Sequence, residues 1–315
     1  MKKEKKAVKI CGRQRFLCIV VSLIIFGSTG IHASAAGSRS LEGSPAEGPT
    51  GYTIAEFPYQ NTKKADKLLK VFQEAKKADP ENFINIEVSS KGLFDTSDQY
   101  KQTLGAGDFL YYGDMKDGKP DGKGVLLEYA SVLNATIPVL LGEFKDGQLD
   151  GYVIRISALT VPEVASEGFY SKGERDGDYT GYSNGLMNRE YLNCYPGILD
   201  AFEEYLRGEL YKAGYDEIVW DVPLMPVYIQ EQGTYNKGKI TGKWTGYFYD
   251  GTVAAEIKMD RNGKTGKGKI YYSNGQVKYD GELRDMQYDG KGALYREDGS
   301  LEYKGKFKNG QIDTD

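Results

Sequence analysis

Glycines recur at fixed spacings along this chain, and no other feature of the sequence constrains its fold as strongly. Counting from Gly113, glycines follow after five, nine and eleven residues, and shorter versions of this spacing begin at five further glycines. Because glycine adopts positive φ without steric cost, the register predicts a tight turn in every unit. The glycines of the register are Gly113, Gly118, Gly122, Gly124, Gly142, Gly147, Gly151, Gly168, Gly173, Gly177, Gly233, Gly238, Gly242, Gly281, Gly290, Gly292, Gly305 and Gly310.

The segments between these glycines read as β-strands. Large and polar residues alternate in 142–147 (GEFKDG) and 233–238 (GTYNKG), the rhythm of a half-buried strand. Each unit is therefore predicted to be a two-stranded hairpin, with its turn between the +5 and +9 glycines. A single hairpin is barely stable in water, so successive hairpins are expected to stack into one sheet. Further turns are predicted at Asp250-Gly251, Asn274-Gly275 and Asp298-Gly299.

Several units depart from the register. Val153, Tyr179 and Trp244 replace the +11 glycine, and Met286 replaces a +5 glycine. The unit that begins near Glu256 has lost its first glycine. A side chain at such a position excludes conformations open to glycine, so we expect a different turn or bulge there. The array itself is expected to continue through these units.

The register resembles the MORN repeat (membrane occupation and recognition nexus), whose pattern is close to Y-x-G-x4-G-x3-G-x-G. The segment from Tyr112-Gly113 to Gly124 matches this pattern nearly letter for letter, as does Tyr303 to Gly310 in a truncated last unit. The resemblance covers roughly residues 105–190 and 229–315. It implies a mainly β fold, an elongated and twisted antiparallel sheet of successive hairpins. Similar arrays serve as scaffolds and membrane-associated modules.

The first 35 residues have the three parts of a secretory signal peptide. Seven basic residues precede the apolar run 16–26, and the small residues Ala33-Ser34-Ala35 follow it. A bilayer span needs about 20 apolar residues, more than this run contains. We therefore predict cleavage after Ala35 and an exported protein, secreted or at the cell surface. An uncleaved signal anchor is the alternative.

Removal of this segment limits the chemistry of the mature chain. It takes away the only histidine, His32, and two of the three cysteines, and it leaves 34 basic and 44 acidic residues, a net charge of −10. Nucleic-acid binding is disfavoured, because phosphate neutralisation requires a basic surface. Cys194 has no histidine partner for nucleophilic catalysis and is expected to be a small buried residue. No catalytic residue, metal ion or cofactor is expected.

Two stretches interrupt the repeats. Asn61 to Ala78 has the apolar stripe of a helix that Thr62 can cap, and the strand-like segment 83–88 follows it. We expect this helix–strand unit to cap the open end of the sheet. The stretch from Ile198 to Leu206 is also predicted to be helical, and Gly208 begins a degenerate repeat. We expect this second interruption to be a helical excursion packed on one face of a continuous sheet.

Six segments result from these assignments. They are a signal peptide (1–35), a flexible linker (36–51), an N-terminal helix–strand capping region (52–104), a first repeat array (105–192), a helical insertion with the degenerate repeat (193–228) and a second repeat array (229–315).

Aromatic residues of the second array are the candidate binding residues. Tyrosines recur there at matching phases, and an aromatic face on a sheet can bind a peptide, a glycan or a partner protein. The candidates are Tyr247, Tyr249, Tyr271, Tyr272, Tyr295 and Trp244.

Three functions remain open on this sequence. The first is an exported, non-enzymatic scaffold that binds an unknown protein or cell-envelope ligand. The second is weak peripheral binding to anionic lipid through residues 229–315, which carry 15 basic and 13 acidic residues. The third is a carboxylate-based glycan hydrolase with its site in the insertion, for which Glu203 and Glu204 are the adjacent carboxylates.

Overall fold

A computed structural model describes most of the chain from residue 52 onward. The described ranges are 52–88, 107–130, 133–157, 161–186, 188–195, 197–205, 207–208 and 211–314. The predicted signal peptide and the predicted linker lie outside the described residues.

One open β-sheet organises the described residues. Fifteen strands follow one another across it, each antiparallel to its neighbours, and β8 pairs in parallel with β4 beside this series. The predicted mainly β fold of successive antiparallel hairpins is thereby confirmed. The strands are β1 (Ile84–Val88), β2 (Gly107–Lys116), β3 (Lys119–Ala130), β4 (Ala135–Lys145), β5 (Gln148–Ser157), β6 (Glu163–Ser171), β7 (Glu174–Ser183), β8 (Gly214–Ile218), β9 (Tyr228–Asn236), β10 (Lys239–Tyr247), β11 (Val253–Met259), β12 (Thr265–Tyr271), β13 (Val277–Arg284), β14 (Gln287–Tyr295), β15 (Leu301–Lys308) and β16 (Gln311–Asp313).

The first helix confirms the prediction for residues 61–78 and ends three residues earlier. Asn61, rather than Thr62, caps it, because the Asn61 side chain accepts a hydrogen bond from the backbone N–H of Lys64 at 3.2 Å. The helices are α1 (Thr62–Ala75), α2 (Arg189–Cys194), α3 (Ile198–Tyr205) and α4 (Tyr211–Ala213), and a 3₁₀ turn spans Pro80–Asn82.

The hairpin turns are shorter than the sequence suggested. In the hairpins that begin at a first glycine, the turn contains two residues, at +4 and +5, and both have positive φ, as in Asp117 (49°) and Gly118 (75°). In the unit that has lost this glycine, five residues connect β11 to β12. The predicted turn between +5 and +9 is wrong, because the second strand starts at +6 and the +9 glycine lies at a register shift within it. Met286 keeps the same turn with φ 63°, so its departure changes no backbone geometry.

The glycine register becomes one row of residues that crosses the sheet. Each first glycine pairs with the +11 residue on the strands beside it, which places their side chains on a single face. Where a +11 glycine is replaced, the first glycine of the same hairpin is kept: Trp244 packs over Gly233 and needs no different turn. In order from β2 to β15, the row contains Gly113, Gly124, Gly142, Val153, Gly168, Tyr179, Gly233, Trp244, Ile257, Gly268, Gly281, Gly292 and Gly305.

An acidic residue after the first glycine braces the irregular part of several hairpins. The carboxylate of Glu282 accepts a hydrogen bond from the backbone N–H of Lys291 at 2.9 Å. Asp114 and Glu143 accept the equivalent bonds in their own units, from Lys123 and Tyr152. The shared nine-residue spacing shows that the repeat encodes this brace as well as its turns.

The two interruptions of the array together cover both faces of the sheet. Helix α1 lies on the face that we call face A, where its buried residues Leu68 and Phe72 join a core with Leu141. The insertion covers the other face, face B, where Tyr191 joins a core with Val153, and its last residues return to face A, where Leu224 joins the core beneath α1. The sheet is continuous as predicted, since β7 pairs directly with β9. The predicted packing of the insertion on a single face is wrong, because its apolar residues reach the cores of both faces.

The end of the sheet differs from the predicted cap. Strand β1 pairs with β2 and occupies the edge, whereas α1 packs across the strands β2 to β4. The apolar stripe of α1 requires a broad apolar surface, which a sheet face supplies and an edge does not. The predicted degenerate repeat from Gly208 is also wrong, because β8 pairs in parallel with β4 and forms no hairpin of the array.

Candidate binding surface

A second row of paired residues, on face A, changes its chemical character halfway along the sheet. Its first four residues are apolar and lie in the core that α1 covers. From Glu167 onward nearly every residue of the row is polar or charged. We call it the central row; from β2 to β15 it contains Tyr112, Val125, Leu141, Ile154, Glu167, Thr180, Gln232, Thr245, Glu256, Lys269, Asp280, Ala293 and Lys304.

Face A is therefore covered over the first array and open over the second. Among the described residues, the core beneath α1 extends along the sheet only as far as Ile229, on β9. The second array has its own core on face B, which includes Ile257, Tyr279 and Phe307. A strand such as β15 alternates accordingly, with Lys304 exposed and Phe307 buried.

A cleft of about 460 Å³ marks the boundary between the covered and open parts of face A. Asn61, at the start of α1, lines one side, and Lys243 and Tyr247 of β10 line the other. The floor contains residues of the central row, including Gln232, which accepts a hydrogen bond from the Tyr247 hydroxyl at 2.9 Å.

Glu167 lines this cleft and fastens the start of α1 to the sheet. The side chain is only 3% exposed, and its carboxylate accepts hydrogen bonds from the backbone N–H groups of Gln60 (2.7 Å) and Asn61 (3.3 Å). The hydroxyls of Tyr152 and Tyr182 donate to it as well. Burial, and next to it the Glu167 charge, raise the pKa of both tyrosines, so the hydroxyls remain protonated donors.

Beside the central row, face A of the second array carries a row of lysines. Lys243 lies directly opposite Lys258, which lies opposite Lys267 on the next strand. Lys291 and Lys306 lie opposite each other on β14 and β15. All five side chains are exposed. We call Lys243, Lys258, Lys267, Lys291 and Lys306 the lysine row; Glu282 on β13 stands between its two parts.

Two lysines of this row have carboxylate partners. The ammonium of Lys243 lies 3.3 Å from Glu256, and that of Lys267 lies 3.8 Å from Glu282. Lys258, Lys291 and Lys306 form no ion pair with any other residue that the structure describes. The row therefore presents more positive than negative charge to solvent.

The aromatic residues predicted to bind do not form one site. Tyr247 and Tyr271 lie on face A, where the Tyr271 hydroxyl donates to Glu256 at 3.2 Å. Trp244 lies on face B, and its indole N–H donates to Glu231 at 2.8 Å.

The remaining three aromatics are half-buried, each in a different setting. Tyr249 packs against Tyr191 of α2. The Tyr272 hydroxyl donates to the backbone carbonyl of Tyr295 at 2.9 Å, and Tyr295 itself pairs with Leu301 in the sheet. Burial raises the pKa of Tyr249, Tyr271 and Tyr272. The bulge between Leu294 and Tyr295 is one reason why spacing alone does not assign these rings to a face.

The lysine row was missed in the sequence, although its residues recur regularly. Lys243, Lys267 and Lys291 are the residues after the +9 glycine of three successive units, each 24 positions from the last. Lys306 follows the first glycine of its unit, and Lys258 follows Ile257, which takes the place of that glycine. Period-two alternation places both sets on the face opposite the glycine row, so the signal was present in the register.

The carboxylates proposed for catalysis are not arranged around a cavity. Glu203 and Glu204 are both exposed on α3, and Glu203 forms an ion pair with Arg207 at 3.0 Å. Cys194 is exposed rather than buried as predicted, because it lies on the solvent side of α2 while Tyr191 takes the buried side. Within the described ranges, no three His, Cys, Asp or Glu side chains are grouped to hold a metal ion.

No family model matches the chain, and no curated protein matches it. Of the helices that the structure describes, none is both long and apolar enough to cross a bilayer.

Proposed function

We propose that this chain is an exported, non-enzymatic, MORN-like repeat protein whose second array serves as a binding or scaffolding surface for a protein or cell-envelope partner. The observation that carries the proposal is the change along the central row. Ile154 lies in a core that α1 covers, whereas Lys269 and Lys304 are exposed on the same face. A sheet stabilised from face B alone leaves face A available to a partner.

The construction of the second array suits this role. Its core lies on face B, so face A can be occupied or vacated without exposing buried apolar residues such as Ile257 or Phe307. The strands also hold the side chains of face A at regular intervals before any partner arrives. A surface organised in advance lowers the entropic cost of binding.

Photo-crosslinking tests the proposal on the cell-associated protein. A photo-reactive residue at position 269 or 304 samples the open part of face A, and one at position 63 on the exposed side of α1 is the control. We expect a discrete crosslinked species from positions 269 and 304 and none from position 63. Equal crosslinking from all three positions, or none from face A, would refute the assignment of this face.

Peripheral binding to anionic lipid is a second candidate, favoured by the lysine row. Glu256 and Asp280 count against it, because a plane of anionic headgroups that reached the lysines would also approach these carboxylates of the central row. Flotation with anionic vesicles at low and high salt distinguishes this candidate. Salt-sensitive flotation that is lost when the lysines are neutralised would support it.

The proposed export depends on the first 35 residues and has its own test. Cleavage after Ala35 gives an exported form whose sequence begins at Ala36. N-terminal sequencing of the exported protein identifies its first residue directly. An intact N-terminus on a membrane-associated form would favour the signal anchor instead.

A further inference from the structure

We propose that the lysine row binds a linear phosphate polymer laid across the strands of the second array. This inference rests on the proposed function, and it names the chemistry of the partner that face A takes. Three steps carry it: the geometry of the row, its unfavourable internal charges and its residue types.

The row is a long and narrow line of cations that crosses the strands. Its lysines lie on five of the six strands from β10 to β15, a series in which each strand lies beside the next, and Glu282 takes the corresponding position on β13. Neighbouring strands lie roughly 4.8 Å apart, so the row runs perpendicular to the strands for about 25 Å. A ligand that contacts every lysine must be long and narrow, because the adjacent central row contains carboxylates that repel an anion. A linear polyanion meets this requirement.

The row also contains like charges in direct opposition. Lys258 lies between Lys243 and Lys267, and Lys291 lies opposite Lys306. Like charges directly opposite each other on paired strands destabilise a sheet. Within the described chain, neighbouring carboxylates offset this repulsion only at Lys243 and Lys267. An anion bound along the row removes the repulsion, so the free protein carries an electrostatic cost that the ligand relieves.

The residue types are compatible with phosphate. All five cations are lysines, so the row offers point charges rather than the planar fork with which arginine binds carboxylate and phosphate alike. Lysine acts as a point charge with three donors and suits closely spaced phosphate oxygens. The net negative charge of the mature chain opposes binding at long range, but salt near physiological strength screens charges beyond about 8 Å. Contacts within the row therefore decide the affinity.

The experiment compares two charge-matched triple variants of the purified protein. The row variant carries Lys258→Gln, Lys291→Gln and Lys306→Gln, which replace the three lysines without ion pairs. The control variant carries Lys63→Gln, Lys67→Gln and Lys70→Gln, exposed lysines of α1. Both lose three positive charges. Binding to inorganic polyphosphate, poly-glutamate and anionic vesicles is measured from 50 to 300 mM salt, and urea unfolding is measured in parallel.

We expect the unchanged protein to bind polyphosphate with a salt-dependent affinity, and the control variant to bind nearly as well. The row variant should bind at least roughly tenfold more weakly at 100 mM salt. Its plot of log affinity against log salt should be shallower by about 2, because each lost phosphate contact removes about 0.7 from the slope. Its urea midpoint should not fall, since the substitutions remove like-charge pairs.

Several results would overturn the inference. Equal losses in both variants would mean that overall charge controls binding. Poly-glutamate binding as tight as polyphosphate binding would remove the selection for phosphate. Vesicle binding without polyphosphate binding would identify a lipid surface as the partner, and no binding at all would reject an anionic ligand. Crosslinking from positions 269 and 304 would still support a partner on face A in each of these cases, so the two proposals fail separately.

Discussion

Replacement of Glu167 by glutamine tests how the first array and α1 are held together. The carboxylate accepts four hydrogen bonds, two from backbone N–H groups at the start of α1 and two from Tyr152 and Tyr182. An amide has one oxygen, and its NH₂ group would point at two of these four donors. The Glu167→Gln variant therefore keeps the size of the side chain and loses both its charge and half of its accepting capacity.

The expected loss of stability follows from these contacts. A hydrogen bond to a charged group contributes about 1.5 to 3 kcal/mol, and two are lost in the variant. The sum is reduced because a tyrosine hydroxyl can rotate and accept from the amide. We expect Glu167→Gln to lower the free energy of unfolding by about 3 kcal/mol. Tyr152→Phe and Tyr182→Phe should each cost about 1 to 2 kcal/mol and should not add fully to it.

Urea unfolding measures the global effect, and hydrogen exchange locates it. The amides of Gln60 and Asn61 should lose protection in Glu167→Gln, because they donate to the carboxylate directly. Glu174→Gln is the matched control; Glu174 is exposed on the next strand and should change stability by less than about 0.5 kcal/mol. A loss below about 1 kcal/mol in Glu167→Gln, with unchanged exchange at both amides, would refute the role assigned to this carboxylate.

Three further predictions concern other parts of the chain. Burial raises the pKa of Glu163 to about 8, so its contribution to stability is full below pH 4.5 and is lost as the pH rises through 8. In urea unfolding at pH 8, Glu163→Gln should therefore be more stable than the parent by about 2 kcal/mol or more, and this difference should shrink at pH 5. Identical curves for the two proteins at both pH values would contradict this prediction. Gly281→Ala should destabilise by about 2 kcal/mol, because its Cβ would lie 2.5 Å from the Gly292 Cα and from the Tyr279 hydroxyl, and an unchanged melting temperature would count against the close approach. Cys194 should react with a thiol reagent in the native protein as fast as in the unfolded one, and slow labelling under native conditions would show it to be protected.

Local features of the repeat could be predicted well from the sequence because they depend on residues close in the chain. A two-residue hairpin turn needs positive φ at both positions, and pairs such as Asp117-Gly118 supply it within a few residues of both strands. The same holds for α1, whose apolar stripe lies within one contiguous segment of the sequence. The position of the turn within each unit was misjudged, since glycines at a turn and at a bulge look alike in a spacing pattern.

Long-range contacts are not encoded in any local sequence pattern. Glu167 binds backbone groups 106 and 107 residues earlier in the chain, and nothing in its neighbourhood marks it as buried. Likewise, Trp244 stood out because it replaced a glycine, but its indole packs over Gly233 and Gly246 on face B. Whether an unusual residue fills a gap or faces a partner depends on which strands lie beside it.

The sequence by itself determined the hairpin units, their order and the alternation of side chains between two faces, because turn conformation and strand period are set over a few residues. Only the tertiary structure decided which face each part of the array leaves open. That outcome depends on where α1 and the insertion pack, and on the pairing that brings lysines 24 positions apart into one row. Such contacts form between segments distant in the chain, and burial of apolar area, rather than local propensity, selects them.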